Sequence, residues 1–337
     1  MKIRTWGTRG SIAVSNSESI KYGGNTTCFE VISDCLPSGT RLMIDAGTGF
    51  VPAGWKYLSE MKNGLKYVLL FTHWHYDHIM GLTLAPPTFI DQIPMDLYGP
   101  MDEGEGPEQM IDHLFKRPYF PVDAKIFKHK MCFKKLANFD AYVIVVHPKG
   151  GFTTMKMDDF KTIMAGKRHI SLGGRGYPAA ECMIIRMAKT NHGNSNCISY
   201  RFEENPTGKS FVLMTDHEDQ VSIPTVIKRH LAGADLLIVD AQYDRKRYLD
   251  DTGGYGHGTP YGCIKHGVIC NVKKIGFTHH DPRSVDQFLE EKIYPEAIAA
   301  LGEITSDKNF QSVNQSGEVH LVQDDIFLCY DYQDLEV

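Results

Sequence analysis

Phe71-Thr72-His73-Trp74-His75-Tyr76-Asp77-His78 is the stretch on which the reading of this chain turns. It sets three histidines and an aspartate within six residues, directly after the apolar run Tyr67-Val68-Leu69-Leu70, which reads as a buried strand. In extended chain, alternate residues point the same way. His73, His75 and Asp77 then share a side as the chain leaves the strand, and His78 faces elsewhere unless a turn or helix starts there. Such a motif can serve two neighbouring cations, one through His73 and His75, the other through Asp77 and His78. Imidazole and carboxylate suit zinc, and also manganese or iron. No cysteine lies inside the motif, so it is no zinc finger. A structural site closes around its ion with four protein ligands, whereas a catalytic one leaves a position for water. The alternative, a histidine-rich loop without metal, fits poorly with so many ligating side chains directly behind an apolar strand.

Composition narrows the rest. The chain has 337 residues, 42% of them hydrophobic, enough for a large core in one domain or two modest ones. A net charge of −5 gives no electrostatic case for a general nucleic-acid or membrane binder, and leaves room only for a local basic patch. The eight cysteines are scattered and form no CxxC pair, so they read as reduced thiols and not as a disulfide framework. Met1–Trp6 alternates like a first strand and does not look like a signal peptide. No apolar run approaches a membrane span. The expectation is a cytoplasmic protein with no membrane partner.

Along the chain, strands are expected at 2–6, 26–32, 41–44, 67–70, 95–98, 141–146, 183–187, 197–202, 211–214, 236–239, 274–277, 318–322 and 326–330. Helices are expected at 50–63, 108–115, 221–231, 260–272 and 284–301. Asp45 ends an apolar strand before Ala46-Gly47-Thr48-Gly49; it reads equally as a carboxylate orienting a ligand histidine and as a turn-forming aspartate. Residues 149–180 are rich in glycine and carry Lys149, Lys156, Lys161, Lys167, Arg168 and Arg175. They read as a solvated insertion, with a mobile basic lid as the alternative. Strand after strand ends in a potential ligand: His73 and His75, His192, Asp216, His279. Active sites gather at such strand ends, where loops converge on a rigid frame.

With these residues in view, the chain resembles the metallo-β-lactamase superfamily. The carriers are Ile44-Asp45-Ala46-Gly47-Thr48-Gly49, the HxHxDH run from His73 to His78, then His192, Asp216 and His279 in order over nearly the whole chain. It is most similar to the branch of phosphodiesterases and tRNA 3′-end endonucleases. That likeness rests on Trp6–Ser11 with Tyr22–Thr26, on Pro118-Tyr119-Phe120-Pro121, on Gly256-His257-Gly258-Thr259, and on Phe277–Pro282.

The resemblance implies an α/β fold over 1–337, an αβ/βα four-layer sandwich of two mixed sheets flanked by helices. It also implies two divalent ions, zinc first, with manganese or iron as alternatives. One would take His73, His75 and His192; the other would take Asp77, His78 and His279; Asp216 would bridge them. His280 would then stand behind the ligands or face substrate. The implied activity is hydrolysis of a small cyclic nucleotide or other cyclic phosphate by a metal-activated hydroxide. Asp77 would orient that hydroxide while ligating, and His257 would act as general acid toward the leaving oxygen. Thioester, lactone or lactam hydrolysis, a di-iron redox protein and a nuclease of the same fold are the competing readings. A homodimer is the expected assembly only by analogy with relatives.

Overall fold

The computed structural model describes residues 1–166, 169–307 and 321–337. Its frame is two mixed sheets packed face to face. The first is built from β1 (Lys2–Gly7), β2 (Cys28–Ile32), β3 (Thr40–Ile44), β4 (Lys66–Leu70), β5 (Met95–Pro100) and β6 (Met131–Leu136). The second holds β7 (Tyr142–His147), β8 (Gly151–Lys156), β11 (Met183–Lys189), β12 (Ile198–Glu204), β13 (Lys209–Met214), β14 (Leu236–Asp240), β15 (Ile275–Thr278) and β16 (Ile326–Leu328). Strands β9 (His169–Leu172) and β10 (Arg175–Pro178) form a separate hairpin, and β17 (Asp334–Glu336) returns to the first sheet. The strand orders are β17-β1-β2-β3-β4-β5-β6 and β16-β15-β14-β13-β12-β11-β7-β8.

The alternation of apolar side chains explains the layers. In β4, Val68 and Leu70 join the core between the sheets, while Tyr67 and Leu69 face an outer helical layer. In β13, Phe211 and Leu213 point inward, and Val212 and Met214 point out toward the helices Pro260–Ile269 and Tyr294–Ser306. A strand covered on both faces needs apolar residues at consecutive positions, which is why these runs read as unbroken. No helix among the described residues is long and apolar enough to cross a membrane.

Parallel pairing then fixes where the chemistry goes. β3, β4, β5 and β6 run parallel, as do β13, β14, β15 and β16. Parallel neighbours release their C-terminal residues along one edge. Asp45, the histidine run after Leu70, Asp216, Asp240 and His279 all leave strands there. His192 joins them through the turn between the antiparallel strands β11 and β12.

Residues 149–180, read from the sequence as a solvated insertion, carry secondary structure of their own. They contain β8, the helix Met157–Ala165 and the β9–β10 hairpin. Phe160, Ile170 and Leu172 pack on Val143, Val145 and Ile184. Because β7 runs antiparallel to β11, the turn after His147 lies at the end of β11 away from His192. Tyr177 of the hairpin stacks on His147 there, with ring centroids 3.9 Å apart. The turn, the hairpin and their basic residues Lys149 and Arg175 thus stand apart from the ligand edge, and the lid alternative fails for them. Lys167, Arg168 and the expected strand residues 318–320 lie outside the described residues. Elsewhere, the helix expected at 50–63 is α-helical over Phe50–Tyr57 and tightens to 3-10 over Leu58–Asn63. The one expected at 221–231 begins at Thr225, after Pro224, since proline favours the first turn and not the interior.

Leu213 has no exposure and sits between the sheets. Leu213→Ala is expected to destabilise the fold by about 2–5 kcal/mol in a urea titration, whereas Val221→Ala, at a 97% exposed position, should stay within about 0.5 kcal/mol of the parent.

Candidate metal centre

The histidine run converges because its geometry changes midway. His75 is extended (φ −65°, ψ 153°) and heads the one-turn helix Tyr76–Ile79. That turn brings His78 to the cluster together with Asp77 and the preceding histidines, whereas an extended continuation would have placed only Asp77 there. Asp45, Asp216 and His279 hold left-handed backbone, with φ of 59°, 52° and 60°, and Ser11 beside them has 61°. Non-glycine residues in that region cost on the order of 1–3 kcal/mol each and persist where surrounding bonds over-determine them. Two glycines make room for ligand rings. A Cβ on Gly10 would lie 2.2 Å from His279 Nδ1, and one on Gly256, whose φ is +90°, would lie 2.3 Å from His192 Nδ1.

The seven expected ligands form two sets, and a third grouping, Asp216, His257 and His279, overlaps both. His73, His75, His192 and Asp216 each bring one ligand atom within 4.8 Å of the others, as do Asp77, His78 and His279. Asp216 lies between the sets. Its Oδ1 is 3.7 Å from His73 Nε2, 3.6 Å from His192 Nε2 and 3.3 Å from His279 Nε2, and its Oδ2 is 3.3 Å from His78 Nε2. Asp77 Oδ2 is 3.3 Å from His78 Nε2 and 3.1 Å from His279 Nε2. The edge of a tetrahedron with metal–ligand bonds of ~2.0–2.1 Å is roughly 3.3 Å, so these spacings suit a cation within each set.

His78, His192 and His73 have partners for the ring nitrogen that faces away from the cluster, while His279 Nδ1 is buried with none among the described residues. His78 Nδ1 donates to Asp45 Oδ2 at 2.8 Å, and His192 Nδ1 donates to the Gly256 carbonyl at 2.8 Å. His73 Nδ1 faces the Thr72 hydroxyl at 3.1 Å. An imidazole that donates from Nδ1 keeps its lone pair on Nε2. The Nε2 atoms of His73 and His78 are buried with no hydrogen-bond partner, an arrangement that is costly unless something electropositive is bound. His75 turns the other way: Nδ1 lies 3.2 Å from His192 Nε2, and Nε2 lies 3.4 Å from Ser195 Oγ. The donor set therefore fits a pair of divalent cations.

The electrostatics agree. Burial, reinforced by His78, pushes His73 well below the usual histidine range, so it is neutral. Burial alone would raise Asp77 and Asp216, yet the facing rings of His78 and His279 hold both well below the usual carboxylate range. Burial opposes charge on His279 too, but Asp216 and Asp77 win and push it up to about 9. Without cations, protons on the imidazoles balance these carboxylates; cations would take their place.

All seven expected ligands are thus brought together. Asp45 stands behind His78, and its two oxygens also accept from Thr72 N and Thr72 Oγ1 at 2.7 and 2.8 Å. The expectation for His280 is corrected. Its Nε2 donates to the Cys329 carbonyl at 2.8 Å, its ring packs edge-on to Tyr22, and it makes no hydrogen bond to a ligand. His257 borders the cluster, stacked on His279 with centroids 4.9 Å apart, and its Nδ1 donates to Asp240 Oδ2 at 2.8 Å. Asp240 went unnoticed in the sequence because β14 reads as ending at Val239; the rule that strands here end in a ligand-type residue would have found it. Glu218, one of the residues next to Asp216, clamps the loop before His257 by accepting from Gly254 N, Gly256 N and Tyr248 Oη.

The ligands open onto a cleft of about 510 Å3 lined by Ser11, Trp74, His75, Tyr76, Asp77, Asp216, His257 and His279. A larger one of about 690 Å3, lined by residues such as His147, Tyr177 and Glu204, holds none of the ligands.

Asp216→Ala is expected to lose at least one metal equivalent, read by elemental analysis of the purified protein. Asp45→Ala should weaken metal affinity roughly 10–100-fold while the far-ultraviolet circular dichroism stays unchanged, as titration against a metal buffer would show.

No family model matches the sequence. The chain is 23% identical over 280 residues to ribonuclease Z of Prochlorococcus marinus subsp. pastoris (strain CCMP1986 / NIES-2087 / MED4), spanning 74% of this chain and 84% of that protein. Its structure aligns with unliganded yeast PDE1 at a TM-score of 0.62 and 13% identity, over 100% of this chain and 99% of the other. It aligns with the metallo-β-lactamase fold protein YhfI from Bacillus subtilis at a TM-score of 0.56 and 16% identity, over 99% and 98% of the two chains. Two facing mixed sheets with helices outside, and these alignments over essentially the full length, establish that the chain has the metallo-β-lactamase fold.

Proposed function

We propose that the protein is a dinuclear-metal-dependent phosphodiesterase acting on a small nucleotide or cyclic phosphate. The observation that carries the reading is His257, held by Asp240 at the rim of the ligand cluster and exposed to the same cleft. Zinc suits the nitrogen-rich donor set, with manganese or iron as alternatives. Bound cations would make a water more acidic and draw charge from a phosphoryl group.

The chain's own residues supply the rest. Asp77 faces the cleft, and its Oδ2 accepts from Ser11 N at 2.7 Å, which fixes the carboxylate beside His279. It is placed to accept a hydrogen bond from an attacking water and so to orient it. In His257, Nδ1 is committed to Asp240, which leaves Nε2 for the cleft. A histidine placed there can give a proton to the departing alkoxide, which is otherwise a poor leaving group. The neighbouring loop is tied down by Glu218 and by the bond from His192 to Gly256, so the donor is held in register with the ligands.

A nuclease is the second reading, favoured by the likeness to ribonuclease Z. A net charge of −5 weighs against a long polyanionic substrate.

The test is hydrolysis of a chromogenic phosphodiester by protein loaded with zinc or manganese, with a chelator-treated control. Metal-dependent turnover is expected, and none with both sites loaded would remove the reading. His257→Ala should lower kcat roughly 100- to 10,000-fold with metal content intact. Loss of metal in that variant would make His257 a ligand instead of a proton donor.

A further inference from the structure

We infer that Ser11 is a substrate contact whose hydroxyl donates a hydrogen bond to a non-bridging phosphoryl oxygen. The inference rests on the phosphodiesterase reading and adds to it a residue that neither the ligand set nor the proton donor accounts for.

Ser11 lines the cleft, with the ligands Asp77, Asp216 and His279 among its other walls. Its left-handed backbone (φ 61°) points its N–H at Asp77 Oδ2, 2.7 Å away, so the residue is referenced to a ligand. Its Oγ accepts from Gln242 Nε2 at 3.0 Å. Gln242 is itself only 2% exposed, and its backbone N–H donates to Asp240 Oδ1 at 2.9 Å. The other oxygen of Asp240 receives His257. One buried carboxylate therefore fixes both the proton donor and the amide that holds Ser11.

A hydroxyl has one proton to give. Gln242 Nε2 donates to Oγ while its own Oε1 is buried without a donor, and with the amide in this orientation no acceptor among the described residues takes the Ser11 proton. That proton is available to the cleft. The other side chains of the cleft wall are mostly committed. His75, Asp77, Asp216 and His279 face the cation positions, His257 serves the leaving oxygen, and Trp74 Nε1 donates to the Pro100 carbonyl at 3.0 Å. Tyr76 is 68% exposed. Ser11 is the held neutral donor on this wall. A phosphodiester carries its charge on two non-bridging oxygens, and a fixed neutral donor stabilises an oxygen there without competing with the cations.

The test uses full-length zinc-loaded protein with Ser11→Ala and Ser11→Gly. Both keep the backbone N–H that holds Asp77, and glycine also removes the strain of the left-handed conformation. Inorganic phosphate serves as the binding probe in calorimetry, and the chromogenic phosphodiester as the kinetic one. Both variants are expected to retain wild-type zinc content, to bind phosphate roughly 10- to 100-fold more weakly, and to lose kcat/KM to a similar extent. Wild-type phosphate affinity in Ser11→Gly overturns the inference, because the effect in alanine would then be backbone strain. Loss of zinc in both variants overturns it too, because Ser11 would then act only through Asp77. If the parent protein binds phosphate but turns over no diester, the phosphodiesterase reading falls, and the phosphate affinities of the variants still decide the role of Ser11.

Discussion

Everything at the ligand edge is arranged around the carboxylate of Asp216. It is buried, it leaves β13 with a left-handed backbone, and the rings of His73, His192, His78 and His279 all approach its two oxygens. An unpaired carboxylate in such a place would be costly to bury, and four imidazoles without an anion between them would be equally so. Each side makes the other tolerable, and both call for cations. The two sheets serve this arrangement by delivering residues from distant parts of the chain to one edge at angstrom precision.

The strands can do so because they are rigid and covered on both faces. β4, β13, β14 and β15 are almost entirely buried, so the residues that follow them start from fixed positions. Behind the ligands a second layer of bonds sets ring orientation, Asp45 on His78 and the Gly256 carbonyl on His192, and Asp240 does the same for the neighbouring His257. A pocket that merely contained histidines would lack this layer. Its presence separates a site built to bind from a chance cluster.

Much of this was legible in the sequence, for identifiable reasons. The run from His73 to His78 is local, and an apolar strand announces it. Asp216 and His279 follow short apolar strands, so their positions could be read even though their partners could not. The failures are equally physical. His280 adjoins a ligand, but neighbours in sequence diverge when the chain turns, and its ring went to Cys329. Asp240 was hidden by a one-residue error in a strand boundary. Ser11 and Gln242 are separated by 231 positions, and nothing local marks either as the other's partner. In residues 149–180 the glycines and lysines masked β8, whose residues are only partly buried and so show no clean alternation.

The left-handed backbones at Asp45, Asp216 and His279 carry a consequence for the evolution of the molecule. Strain at three neighbouring points, together with buried carboxylates, makes this edge a local cost in folding energy that the apolar core between the sheets and the layers outside them have to overcome. Substitutions that relaxed it would tend to give a sturdier protein with a poorer site, so selection for persistence and selection for chemistry pull on the same few residues in opposite directions. The thick, doubly covered sheets are the surplus that lets such an edge exist.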